Sequence, residues 1–335
     1  PQQPVRIYGR TRVPGGKVRT MRPGRLPRNL RNRVWLAAAL LAAAGILTAG
    51  AAGIATAPVR HIFDIARGTE GTLSLPSDVA VSQDGRIYVV DSGHHRVAAF
   101  DHGGKPLFSV GQPGAGSGQF RNPVGIGVDV NGWFYVADKD NHRIQVFDGD
   151  GRWQRSFAVT AQGKPAAPID VAPDRQGRLY VTTNNHWVLV YDAHGKRLHQ
   201  WGGEGSNQGE FRYPATVAVD TQGAIYVVDA LNARVQAFDA GGKFIVNVGE
   251  WGVLPGQFFR PKGVATDNHG RVYVTDSYLD VVQVFDASRH FMHVLGEDGK
   301  PQRFVSAAGI VVDQAGRLYV TEMLKHKISV YELRP

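Results

Sequence analysis

The feature that most narrows the fold of this chain is a repeat. A Tyr-Val pair recurs six times, at Tyr88, Tyr135, Tyr180, Tyr226, Tyr273 and Tyr319, with spacings of 45 to 47 residues. Around each pair runs a common order: a proline or alanine opening an aliphatic run, a turn with Gly, the Tyr-Val strand, an Asn/His/Arg turn, and a further apolar run ending in an aromatic residue and an acid. Six copies at one period mark a radial or solenoid array, because a unit of this size buries its apolar face only against its neighbours. Within each copy the apolar residues alternate in short runs rich in Val, Ile, Tyr and Phe, bounded by Gly, Asp and Asn, which is the pattern of four strands joined by hairpins. Four-stranded units repeated six times predict an all-β, six-bladed β-propeller over residues 58–335.

The sixth copy ends after its third strand, at Ser329-Val330-Tyr331-Glu332-Leu333. The missing piece stands at the other end, where HIFDIARGTEGTLSLP (61–76) matches PLFSVGQPGAGSGQFRNP (106–123). Strand 60–66 is therefore expected to close the last blade and hide its open edge. Stretches such as NPVGIGVDVNGWFYVADKDNHRIQVFDGDGR (122–152) and YPATVAVDTQGAIYVVDALNARVQAFDAGGK (213–243) resemble the NHL repeat family. The resemblance implies the propeller fold. It leaves function open, since similar propellers serve as RNA-binding modules, sensor domains, a metal-containing lyase and interaction scaffolds.

Ahead of the repeats, Val34 to Ala57 is a run of 24 residues without a charge. As a helix at ~1.5 Å per residue it is long enough to cross a hydrocarbon core of ~30 Å. It exceeds a usual signal-peptide core, and Pro58 follows the Ala55-Thr56-Ala57 that would be the cleavage site, so a retained single-pass anchor is expected. Gly45, Ala49 and Gly53 share one helical face, and small residues at that spacing let a second helix approach closely. Residues 1–33 carry ten Lys/Arg and no acid, and Arg22, Arg25, Arg28, Arg31 and Arg33 lead up to the apolar run. This Pro/Arg-rich tail is expected on the cytoplasmic side of a bacterial inner membrane, with the propeller periplasmic. The other 302 residues hold 28 basic and 29 acidic groups, so the net charge of +9 belongs to the tail and the body is no trap for nucleic acid. The absence of cysteine excludes disulfides, thiolate metal sites and cysteine nucleophiles.

What every blade carries is most economically scaffold. Asp129, Asp220, Asp267 and Asp313 sit three residues before a glycine and read as hairpin-turn acids. DGDG (148–151) falls in another repeated turn, with too few oxygen ligands for calcium. His95, His142 and His326 occupy one turn position in neighbouring blades, with His186 near it in blade 3. They are weak zinc candidates against a purely local turn role. Departures from the repeat stand out more. Trp251, Val253 and Leu254 fall in the connection from blade 4 to blade 5, Tyr278 and Leu279 in the turn of blade 5, and Met323 and Leu324 in that of blade 6; Leu231 is the apolar exception in blade 4. Together they read as a partner surface on one face, and Trp133 as a lone exposed aromatic on the other.

From these features the chain is expected to be a non-catalytic accessory subunit of a larger bacterial membrane complex, with a photosynthetic or respiratory assembly as the example. No cofactor and no enzyme activity are expected. Its partners would be integral membrane subunits, met through tail, helix and propeller face, together with membrane lipid. The sequence identifies no small-molecule substrate. The alternatives are a metal-dependent lyase or hydrolase of the NHL-propeller type, or a periplasmic ligand-binding sensor.

Overall fold

The computed structural model describes residues 54–333. Within them the chain forms a six-bladed β-propeller, each blade an antiparallel sheet of four strands running outward from a central axis. In blade 1 these are Pro76–Val81, Ile87–Asp91, Arg96–Phe100 and Pro106–Val110. Blades 2 to 5 repeat the order, with innermost strands Pro123–Val128, Pro168–Pro173, Pro214–Val219 and Pro261–Thr266. Blade 6 takes Ala307–Val312, Arg317–Glu322 and Lys327–Leu333 from the C-terminal side and its outer strand, Val59–Ile65, from the N-terminal side. The pairing of Val59–Ile65 with Lys327–Leu333 joins the two ends of the propeller in one sheet. Thr56 and Ala57, the last residues of the uncharged run, form a short strand parallel to the outer strand of blade 5.

The core lies in the seams. Each of six apolar clusters is shared by two neighbouring blades: Val90, Val97 and Phe120 of blade 1 and its exit loop meet Phe134 and Phe147 of blade 2, and the seam of blades 6 and 1 packs Tyr319, Ile328 and Val330 on Ile87, Val89 and Phe100. The six repeat tyrosines are fully buried in these seams. Five of their hydroxyls donate to the hairpin-turn acid six residues earlier, as Tyr273 does to Asp267 at 3.0 Å and Tyr319 to Asp313 at 3.0 Å. The same acids accept backbone N–H groups of their own turn, as Asp129 does from Asn131 and Trp133.

Seams this close leave no room at certain glycines. A Cβ on Gly127 of blade 2 would stand 2.3 Å from the Val171 carbonyl oxygen and 2.5 Å from Pro173 Cδ in blade 3. Neither neighbour can swing aside, since one is backbone and the other a ring. Gly127→Ala should therefore cost about 3 kcal/mol, read as a lowered urea midpoint at unchanged m. An unchanged midpoint would mean that the seam is looser than this.

Among the described residues no helix is long and apolar enough to cross a membrane. The expected tail (1–33, including Arg22, Arg25, Arg28, Arg31 and Arg33), the small-residue face of Gly45, Ala49 and Gly53, and nearly all of the expected span lie outside the described residues.

Candidate functional site

The turn histidines are not gathered into a centre. His95, His142 and His326 each hold the left-handed position that ends a short helical turn, at φ 53°, 53° and 56°. Nδ1 of His95 accepts the N–H of Asn122, Nδ1 of His326 that of Leu75, and Nδ1 of His186 that of Tyr213, at 3.0–3.3 Å. Each imidazole thus fastens its turn to the connection leaving the same blade. In blade 5 the equivalent residue, Asp280, does the same with a carboxylate oxygen, accepting from Ser306. In these four blades the left-handed residue supplies a hydrogen-bond acceptor to the connection, a local role that needs no metal, while blade 4 holds Ala233 at the same position. Among the described residues no three or more His, Asp or Glu side chains lie close enough to hold a metal ion.

Trp133 is not a lone exposed aromatic. It is half-buried against the core between blades 2 and 3, and the Arg155 guanidinium lies over its ring at 5.4 Å. This contact is a seam interaction, worth more to packing than to recognition. Of the apolar residues on the other face, Trp251, Leu254, Tyr278 and Leu324 are exposed, as is Leu231, while Val253, Leu279 and Met323 are half-buried. The Tyr278 ring lies against Phe259, centroids 4.1 Å apart.

The axis carries what the sequence reading did not single out. Two residues into each innermost strand, at the start of a bulge, the six blades present Asp78, Gly125, Asp170, Thr216, Gly263 and Gly309. Asp78 Oδ2 accepts the N–H of Ile126 in blade 2 at 3.0 Å, and Asp170 Oδ2 that of Val217 in blade 4 at 2.9 Å. Their second oxygens accept the N–H groups of Val79 and Val171. The Thr216 hydroxyl accepts from Val264 and donates to the Lys262 carbonyl in blade 5. The glycines make room: a Cβ on Gly309 would meet Asp78 Oδ1 at 2.0 Å, and one on Gly125 would meet Asp170 Oδ1 at 2.5 Å.

The Asp78 and Asp170 carboxyls are also near enough on the axis for each to bear on the other's protonation. Burial, then the charge of Asp170, pushes the Asp78 carboxyl well above the usual range. Burial pushes Asp170 up to about 7, against the pull of its two backbone donors. One residue before the ring in blade 5, burial and then the neighbouring Arg260 draw the Lys262 ammonium down. Among the described residues no carboxylate lies within ion-pair reach of Lys262. With its carboxyl at about 7, Asp170 exchanges its proton near neutral pH, where an ordinary Asp side chain does not, and the Asp78 and Lys262 shifts both favour the uncharged form.

Models of known families match three stretches of the chain. The NHL repeat matches residues 73–100 and 120–147, and a six-bladed β-propeller family matches residues 169–248. The chain carries NHL repeats. A curated relative, the protein brain tumor of Drosophila melanogaster, is 27% identical over 136 residues, which are 40% of this chain but only 13% of that protein's length. Among solved structures, a streptogramin B lyase superposes with a TM-score of 0.61 at 13% identity, over 81% of this chain and 98% of the lyase. A gluconolactonase from Xanthomonas campestris gives 0.61 at 17% identity, over 85% and 99%. The hydrazine synthase of Kuenenia stuttgartiensis gives 0.56 at 12% identity, over 77% and 95%. At these identities the likeness is one of fold.

The expectation that this chain is not an enzyme is corrected by these comparisons. Propellers of the same ring architecture are a lyase and a lactonase, so a propeller of NHL repeats gives no ground for a non-catalytic role. That expectation rested on finding no reactive constellation in the sequence, and the axial acids come together only once six blades close into a ring.

Proposed function

We propose that the propeller is an enzyme of the lyase or hydrolase class that takes a small ligand at the axial mouth and moves protons with Asp78, Asp170 and Lys262. The observation that carries this reading is the pair of buried carboxyls, Asp78 and Asp170, held by backbone N–H groups of the next blade on an axis that the other blades line with glycine and threonine. A carboxyl near 7 is part-protonated at neutral pH and so has a proton for a leaving oxygen or nitrogen, and burial loosens the hold of the Lys262 ammonium on its own. Both depart from what the repeat alone requires, since other blades make the same ring with glycine or threonine. The reaction classes follow the solved relatives' own activities, on a streptogramin B and on a gluconolactone.

The test is proton release by the full-length protein offered glucono-δ-lactone and a streptogramin B in turn. Turnover above the buffer rate is expected for at least one, falling by about 10²–10⁴-fold in Asp170→Asn and in Lys262→Met. No turnover of either compound, or turnover undiminished in both variants, overturns the reading.

A further inference from the structure

The face that carries the blade-to-blade connections is divided. Hydrogen bonds between turn and connection place both on this one side: Leu231 N–H to Arg212 O, Ser277 N–H to Arg260 O, and the Arg303 guanidinium to Leu279 O. From blade 4 to blade 6 the side exposes Leu231 (69%), Trp251 (67%), Leu254 (57%), Tyr278 and Leu324 (63%). From blade 1 to blade 3 the corresponding turns and connections expose no large apolar side chain, and present residues such as Ser117, Asp140 and Asn185 instead. A six-fold scaffold has no reason to concentrate its apolar tips in one half, so the asymmetry belongs to what that half touches.

We infer that the blade 4–6 half of this face rests in the interfacial layer of a lipid bilayer, with Trp251, Leu254, Tyr278, Leu231 and Leu324 as its anchors. The uncharged run that precedes this half in the sequence points to the occupant. Ala55 accepts the N–H of Val294 in blade 5, and Thr56 Oγ1 accepts that of Gly299, in the connection from blade 5 to blade 6. The described residues therefore start beside the outer strand of blade 5 and the connection from blade 5 to blade 6, within the same half. Immediately before it in the sequence stand Val34 to Gly53, 20 residues without a charge, a length that as a helix would measure roughly 30 Å against a hydrocarbon core of ~30 Å. No linker separates that run from the propeller, so a bilayer that takes up the run meets the adjoining face. Trp and Tyr are the side chains that settle at the headgroup level, and Leu tips go deeper. The charges of this half are mixed, Arg212, Arg260, Lys300, Arg303 and Lys325 against Glu250, Glu297 and Asp298, so its attachment is mainly apolar and only weakly dependent on salt.

The chain has no cysteine, so single spin labels can be placed without background. The full-length protein, reconstituted into phosphatidylcholine/phosphatidylglycerol nanodiscs, would carry one label at Leu254→Cys, Leu324→Cys or Ser117→Cys, all exposed positions. Labels at 254 and 324 should collide with oxygen several-fold more than with a water-soluble nickel complex, and the label at 117 should show the reverse. Aqueous behaviour at all three positions overturns the inference. So does shielding of 254 and 324 from both reagents, which would mean that protein covers the face. Neither outcome bears on the axial acids.

Discussion

Asp170→Asn should make the propeller more stable than the wild type at pH 8, by a margin that vanishes toward pH 4. The carboxyl of Asp170 stands at about 7 in the folded ring against 3.8 in a free chain, with burial the main cause. A group whose folded value is raised binds its proton more tightly when folded, so it stabilises fully below 3.8 and that contribution is lost as the pH rises to 7. Three units correspond to about 4 kcal/mol, or roughly 10 °C in the melting temperature of a domain of this size. Asparagine keeps the shape, still offers an oxygen to Val217 N–H, and has no proton to lose. Other groups titrate in the same range: burial holds His199 and His293 low, and Lys327 helps hold Asp64 low, at about 2. Those run in the opposite direction, so the difference between variant and wild-type melting curves is the quantity to read. Parallel curves from pH 4 to pH 8 would show that burial does not raise the Asp170 carboxyl.

The same variant connects stability with function. If the axial pair moves protons for catalysis, Asp170→Asn should be at once the more stable and the less active protein at neutral pH. Sites held under electrostatic strain behave in this way, because the arrangement that suits the chemistry is not the one that suits the fold.

The repeat and the propeller were legible because their signals are local. A period of about 46 residues, alternation within short apolar runs and turn residues at fixed offsets are all properties of neighbouring positions. The axial pair was not, although its letters were there to see. Proline-x-aspartate occurs at Pro76 and Pro168, where the other blades read Gly, Thr, Gly and Gly, and in a linear reading that looks like noise at a variable site. Only ring closure brings residues 92 positions apart near enough on one axis to bear on each other's protonation. The histidines went the other way. Their shared position was visible, and what they bond to was not, because each acceptor meets an N–H from a connection about 27 residues on or, for His326, at the far end of the chain. The apolar tips were legible as departures from the repeat. Their exposure separates them further, with Val253, Leu279 and Met323 half-buried beneath the others.

Closing the ring covalently should slow its unfolding more than any other single cross-link. The strand Val59–Ile65 reaches Lys327–Leu333 across the whole propeller, and Arg60 stands directly opposite Glu332 in that pairing. Directly opposed residues of an antiparallel pair have Cα atoms about 4.5 or 5.5 Å apart, and a disulfide spans either distance without strain. The Arg60–Glu332 ion pair that would be lost is half-exposed on both sides and contributes little. A disulfide in Arg60→Cys/Glu332→Cys would close a loop of 272 residues, which on chain-entropy grounds stabilises by about 5 kcal/mol. The chain has no other cysteine to mispair with. The comparison is between oxidised and reduced forms of one protein, so the two substitutions cancel. Oxidation should raise the urea midpoint and slow unfolding, and reductant should reverse both. Equal unfolding rates in the two forms would place the first opening at another seam, and the joined ends of the chain would then not be what holds the six blades in a ring.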